Sequence, residues 1–296
     1  MPQVRANGIN LEYETFGDAS HPPILLIMGL GGQLLLWPEE FCHALAQAGH
    51  YVIRFDNRDI GLSSKIEHAQ RPRLIRAAIA KALGLPVKAP YTLDDMARDT
   101  IGLLDALNIQ RAHFVGVSMG GMIAQIVAAK YPQRVGTLTL IMTTSGNPRL
   151  PQAHVSLQLK LARRPENDRE AIINHSVNIF RLIGSPGYPM DEAMLRAKSE
   201  RSYDRSSYRR GVGRQTLAII ASGSRVPLLK RIAAPTLIIH GQQDPLVPVA
   251  GAYDLMKHIP GARLEIIDGM GHDLPPALLP KFEQLILQHA RNAAAG

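Results

Sequence analysis

Three residues of this chain, in the order Ser118, Asp244 and His272, have the types and settings of a nucleophile, an orienting carboxylate and a general base. Ser118 lies within Gly116-Val117-Ser118-Met119-Gly120-Gly121, which follows a predicted strand and opens a predicted helix. A strand-to-helix turn this sharp strains the serine backbone and projects Oγ above the sheet. Glycine at 116 and 120 is needed because a Cβ there would meet the neighbouring strand or helix. A serine hydroxyl is a poor nucleophile near neutral pH. It needs a base to take its proton, and the base needs a carboxylate to hold it in the right tautomer. The chemistry these three residues could perform is acyl transfer through a covalent acyl-enzyme.

Asp244 and His272 each follow a predicted strand by a few turn-forming positions. The acid comes after Thr236–His240, in Gly241-Gln242-Gln243-Asp244-Pro245. The histidine comes after Leu264–Ile267, in the flexible glycine loop Asp268-Gly269-Met270-Gly271-His272. Alone, Asp244 reads equally as a turn cap and His272 as a surface histidine. It is the ordered set of three at strand ends that argues for a site. The turn after Thr137–Met142 offers Thr143, Thr144, Ser145 and Asn147 but no rival carboxylate, and Asp268 and Asp273 lie too close in sequence to orient the histidine. A tetrahedral intermediate also needs donors for its oxyanion. The expected pair is the backbone N–H of Met119, at the helix start, and that of Leu30, in a loop whose glycines at 29, 31 and 32 permit close approach.

The elements that must position these residues alternate. Short apolar runs at Pro23–Met28, Tyr51–Phe55, Ala112–Val117, Thr137–Met142, Thr236–His240 and Leu264–Ile267 read as buried strands, and Ile9–Thr15 alternates as an antiparallel edge strand would. Helical periods cover Trp37–Gln47, Thr92–Leu107 with Thr92 as N-cap, Met119–Lys130 and Leu274–Ala290. This alternation predicts a mostly parallel sheet with helices on both faces. Between Thr143 and Ala234 helical patterns appear without a clear buried strand, which reads as a helical cap over the carboxyl edge of the sheet.

With these pieces in place the chain resembles the α/β-hydrolases, and among them the cofactor-free esterases of the aclacinomycin methylesterase type. The resemblance rests on Leu26-Ile27-Met28-Gly29, Trp37-Pro38, the stretch Val52 to Ser63 with Asp56-Asn57-Arg58-Asp59-Ile60-Gly61 at its centre, the serine turn, and Gly269-Met270-Gly271-His272. It implies an α/β-hydrolase fold with an eight-stranded, mostly parallel sheet, to which the strand-free stretch read above adds a helical cap. The core would be residues 1–144 and 226–296, and the cap 145–225. Many members carry histidine where Met28 stands; the change alters the pocket wall but removes no backbone donor. The cap and the basic insertion Lys65–Pro90 do not share the likeness, so a polyketide methyl ester is not implied as substrate.

The expected activity is hydrolysis of a small-molecule carboxylic ester without cofactor or metal. A lactonase, amidase, carbon–carbon bond hydrolase or lipase would share the machinery, and a non-catalytic ligand-binding member is the alternative of a different class. Serine at the turn, where a dehalogenase or epoxide hydrolase needs aspartate, argues against those chemistries. No His-Glu-x-x-His, paired-cysteine or aspartate-rich calcium pattern appears among the eleven histidines and the acids, and no Walker lysine or complete dinucleotide fingerprint accompanies the glycines.

The net charge of +8 raises nucleic acid as a partner, but aromatics at 5% are few for a stacking platform and no binding motif is present. The basic clusters Arg71–Lys88 and Arg196–Arg214 are therefore expected to be solvated helix faces. The single cysteine, Cys42, reads as a buried, inert thiol. No secretory signal or membrane span is visible, which gives a cytoplasmic expectation without a stable membrane anchor; the oligomeric state is open. In the insertion, Leu74, Ile75, Ala78, Ile79, Ala82 and Leu83 fall at helical spacing with Arg73, Arg76 and Lys81 off that stripe. It is expected to be a flap packing its apolar face on the cap, an interfacial helix making weak contact with anionic lipid, or a surface helix without a role.

Overall fold

The structure is a computed structural model that describes residues 2–67, 73–163 and 165–294. His68 to Pro72 of the basic insertion, including Arg71, lie outside the described residues. Eight strands form one sheet: β1 (Gln3–Ala6), β2 (Ile9–Phe16), β3 (Pro23–Ile27), β4 (Tyr51–Phe55), β5 (Ala112–Val117), β6 (Val135–Ile141), β7 (Thr236–Gly241) and β8 (Arg263–Ile267). Their order is β1-β2-β4-β3-β5-β6-β7-β8. β1 and β2 run antiparallel to their neighbours and the rest are parallel. The fold is that of the α/β-hydrolases. The antiparallel edge holds two strands, not only the one read at Ile9–Thr15, because β1 (Gln-Val-Arg-Ala) is too short and polar to show a pattern.

Alternation within each strand divides its side chains between two cores. Leu25 and Ile27 of β3, Phe114 of β5 and Ile238 of β7 belong to one cluster; Ile24 and Leu26, Val115 and Val117, and Leu237 and Ile239 belong to the other. Burial on both faces is why these runs read as continuously apolar. The first face is covered by α3 (Leu93–Ala106) and α4 (Met119–Lys130), the second by α1 (Glu39–Gln47) and α11 (Leu279–Ala294). α3 starts with a capping box in which Thr92 and Asp95 satisfy each other's backbone N–H. α11 begins later than the apolar pattern at Leu274, because Pro275 and Pro276 hold the chain in a 3-10 turn first. Cys42 is buried against the second face, and burial pushes its thiol up to about 12, which keeps it protonated and unreactive.

Between β4 and α3 lies α2 (Leu74–Ala82). Between β6 and β7 the chain passes through α5 (Val155–Ala162), α6 (Arg169–Ile183), α7 (Glu192–Arg205), α8 (Arg209–Ser222) and the single turn α9 (Val226–Leu229), and α10 (Ala250–His258) separates β7 from β8. α6 and α7 share a small apolar cluster of their own, Ile173, Val177 and Leu195, while Ala218 of α8 joins the main core.

The α2 helix does not pack by its apolar stripe. It rests on α8 through buried Ala77, and Ile75, Ile79 and Leu83 face solvent at 80%, 55% and 68% exposure. The packing on the inserted helices expected of a flap is thus made by the opposite face, not by the apolar stripe. A small alanine allows close helix approach, and periodicity alone does not say which face turns inward. The second basic cluster also departs from its expected solvated state. Arg205 and Arg214 are turned into the protein and paired with buried carboxylates.

Candidate active site

The strands β5, β7 and β8 deliver their following turns to one edge of the sheet, and there the structure brings Ser118, Asp244 and His272 together. Ser118 has φ 53° and ψ −118°, a strained conformation for a residue with a side chain. Its backbone is over-determined: the N–H donates to the Ile141 carbonyl at 2.9 Å, and the carbonyl accepts from Thr143 Oγ1 at 2.7 Å. A Cβ on Gly116 would lie 2.5 Å from the Gly120 carbonyl oxygen, and one on Gly120 would run into the Ile27 carbonyl. The flanking glycines are therefore required by close backbone approach.

His272 Nε2 lies 3.0 Å from Ser118 Oγ, and its Nδ1 lies 2.7 Å from Asp244 Oδ2. The other oxygen, Asp244 Oδ1, accepts from the backbone N–H groups of Leu246 at 2.9 Å and Val247 at 2.8 Å. Both oxygens of this buried carboxylate are thus occupied, and only Oδ2 faces the imidazole. Behind Asp244 stands His240, fully buried, whose Nε2 lies 2.8 Å from the Val247 carbonyl. Burial lowers its pKa and keeps it neutral. Sequence reasoning missed His240, since a histidine ending an apolar strand carries no signal of what it backs.

The glycine loop that carries His272 is held, contrary to the flexible loop expected. The His272 N–H donates to the Ile183 carbonyl at 2.7 Å, Gly187 N–H to the Gly269 carbonyl at 2.8 Å, and Gly271 N–H to Ser185 Oγ at 2.9 Å. Gln243 closes it from the other side, donating to Asp268 Oδ1 at 2.7 Å and accepting from Gly269 N–H at 2.6 Å. Asp268 and Asp273 are thereby engaged elsewhere. Asp273 accepts from Ser185 Oγ at 2.5 Å, and burial pushes its carboxyl up.

The loop of Leu30 crosses over Ser118: a Cβ on Gly29 would lie 3.2 Å from Ser118 Cβ. Met119, buried, is the first residue of α4. The loop is fixed from α8. Gln215 Oε1 accepts from Gly31 N–H at 2.9 Å, and Gln215 Nε2 donates to the Arg58 carbonyl at 2.9 Å. Val212 of α8 stands against Gly31, whose added Cβ would lie 3.3 Å from it.

The turn after β4, quoted above only for its likeness, ties the helical segment to the core. Asp56 accepts from Leu34 N–H at 2.7 Å, Leu62 N–H at 2.8 Å and Arg205 Nη1 at 2.7 Å. Asp59 receives both Nε and Nη2 of Arg214 at 2.7 Å. Burial alone would raise the Asp59 carboxyl, but the Arg214 fork and the Ile66 N–H outweigh it and hold it below the usual range. Two acids in a turn at the catalytic edge, with a basic run in the inserted helices, were the available signal for this pairing. Among the described residues no group of three histidine, cysteine or acidic side chains is placed to hold a metal ion, and no helix is long and apolar enough to cross a membrane.

Comparison with known proteins adds relatives to this geometry. The sequence pattern of the alpha/beta hydrolase fold family matches residues 22–275. A rhodomycin D methylesterase of Streptomyces sp. (strain C5) is 30% identical over 98% of this chain and 98% of its own. The 3-oxoadipate enol-lactonase 2 of Acinetobacter baylyi is 29% identical over 90% of this chain and 87% of its own. Among solved structures, a meta-cleavage product hydrolase from Pseudomonas fluorescens IP01 shares the fold with a TM-score of 0.77 at 22% identity, covering 99% of this chain and 98% of that one.

Proposed function

This chain belongs to the α/β-hydrolase fold family, and on that premise we propose that it hydrolyses carboxylic esters with Ser118 as nucleophile, His272 as general base and Asp244 as its orienting acid. The observation that carries the reading is the unbroken line of hydrogen-bonding distances, 3.0 Å from Ser118 Oγ to His272 Nε2 and 2.7 Å from His272 Nδ1 to Asp244 Oδ2. As Oγ attacks the ester carbonyl, Nε2 takes its proton, and Asp244 stabilises the imidazolium that results. The carbonyl oxygen gains charge as the tetrahedral intermediate forms, and the N–H groups of Leu30 and Met119 are its donors. Collapse expels the alcohol, which receives the proton from His272. A water activated by the same imidazole then attacks the acyl-enzyme and frees Ser118.

Residues 145–225 act as the cap of this site and set what enters, with α8 as the wall nearest the Leu30 loop. The relatives, a methylesterase at 30% identity and an enol-lactonase at 29%, support an ester-like bond as the target. A lactone would react by the same steps, its alcohol staying tethered to the acyl group.

The test is Ser118→Ala assayed on p-nitrophenyl esters of graded acyl length, with lactones and an anilide alongside. Turnover should fall by about 10⁶-fold, the scale of comparable losses. A serine-directed phosphonate should label the wild type only. If Ser118→Ala retains more than about a hundredth of turnover, or the phosphonate labels it equally, the nucleophile lies elsewhere.

A further inference from the structure

An ordinary surface helix turns its apolar stripe inward and its charges outward. The α2 helix does the reverse. Ile75, Ile79 and Leu83 follow one another at four-residue spacing along its crest, and Leu85 just beyond is exposed as well. The side that meets α8 has Ala77 at its centre, and Lys81 one turn on reaches Gly223 at the end of α8. A row of large aliphatic side chains left in water is unfavourable unless something covers it.

Charge says what covers it. From His68 to Leu93 the sequence contains no acidic residue but has Arg71, Arg73, Arg76, Lys81 and Lys88. The last four are exposed, and among the described residues none of them forms an ion pair. The arginines of α6 and α7 behave differently: Arg169, Arg181, Arg196 and Arg201 each meet a carboxylate. Arg76 therefore flanks the apolar crest without a counter-ion, with Arg73 and Lys88 exposed at the two ends of the segment, while Lys81 lies on the opposite face with its Nζ against Gly223.

We propose that α2 docks the protein on an anionic lipid surface, with Ile75, Ile79 and Leu83 entering the headgroup boundary and Arg73 and Arg76 meeting lipid phosphates. The placement connects this surface with the catalytic one. The helix rests on α8, and α8 carries Val212 and Gln215 to the loop above Ser118. A docked molecule holds that wall of its site close to the bilayer, where apolar esters concentrate.

Co-sedimentation of the full chain with vesicles tests the proposal. Phosphatidylglycerol–phosphatidylcholine vesicles should carry the protein down, and phosphatidylcholine alone should not. Binding should fade as salt shortens the Debye length from about 10 Å at 0.1 M to about 3 Å at 1 M. Arg76→Gln should lower partitioning about fivefold, and Ile79→Asp at least about tenfold. Ile75→Ser, on a side chain 80% exposed, repeats the apolar test where folding is not at stake. All three should leave turnover of p-nitrophenyl acetate in solution unchanged. Vesicle binding is read without turnover, so it stands or falls separately from the ester reading. Three results would overturn the proposal: no co-sedimentation, co-sedimentation indifferent to Ile79→Asp and Ile75→Ser, or a wild-type dimer in sedimentation velocity that Ile79→Asp dissociates without any vesicle binding.

Discussion

Asp244→Asn changes one atom at the point where the geometry leaves least choice. The carboxylate uses Oδ1 for two backbone donors, Leu246 and Val247 N–H, and Oδ2 for His272 Nδ1. An asparagine must decide which side receives its NH₂ group. Turning NH₂ toward the two backbone donors leaves both N–H groups buried and unpaired, at about 1–3 kcal/mol each. Turning NH₂ toward the imidazole keeps them satisfied, so this orientation is favoured by about 2–6 kcal/mol. His272 Nδ1 must then accept, which places the ring proton on Nε2, facing Ser118 Oγ. An Nε2–H cannot take the serine proton.

Turnover should therefore fall on the order of 10⁴-fold, about 5 kcal/mol in activation free energy, while the fold is kept. Steady-state hydrolysis of p-nitrophenyl acetate beside a thermal melt reads both quantities. Asp268→Asn, whose carboxylate accepts from Gln243 Nε2 and does not touch the imidazole among the described contacts, should stay within about tenfold of wild type. A loss below about tenfold in Asp244→Asn, or equal losses in the two variants with both folded, would refute the reasoning.

Arg214→Met should cost about 3–5 kcal/mol of stability by stranding the buried Asp59 carboxylate, whereas Arg169→Met at a fully exposed pair should leave stability nearly unchanged. Urea unfolding compares them, and equal midpoints would remove the buried pair from the account. Gln215→Leu should lower kcat for a short ester by about tenfold or more with little change in KM, because it frees Gly31 N–H beside the proposed Leu30 donor; an unchanged kcat would show that the loop holds its place unaided. Stability should also fall in acid. Burial lowers His113 to about 4 from 6.5, so between these values the unfolded chain binds the extra proton. This contribution, at most about 3 kcal/mol, is complete above pH 6.5 and lost as pH falls toward 4. Urea midpoints across that range should drop less steeply in His113→Gln, and identical slopes would count against it.

The parts legible in the sequence were those written in local signals. The serine turn is announced by its glycines, and Asp244 and His272 by turn residues following apolar runs, so their convergence at one edge needs only strand order. The parts that stayed hidden depend on distance or direction. Arg214 meets Asp59 across 155 residues and Arg205 meets Asp56 across 149, and a basic run looks the same whether it faces water or a buried acid. The stripe of α2 fixes a period and leaves the sign of its orientation free. The glycines at 269 and 271 suggested freedom, yet the loop is fixed by Ile183, Ser185, Gly187 and Gln243, contacts that no local window contains.

The turn from Asp56 to Gly61 also constrains how a protein of this shape can be rebuilt. Its two acids lie in the sheet-bearing part of the chain, and the guanidinium groups that neutralise them come from α7 and α8. A transplanted helical segment that lacked counterparts of Arg205, Arg214 and Gln215 would leave two carboxylates and a backbone carbonyl facing an uncharged roof. Chimeras with foreign helices in place of 145–225 should accordingly fail as a class, and recover when those three side chains are carried across with their spacing. Positions of α5, α6 and α7 away from these three side chains are then free to vary, while the seam along α8 sets which exchanges a chain can survive.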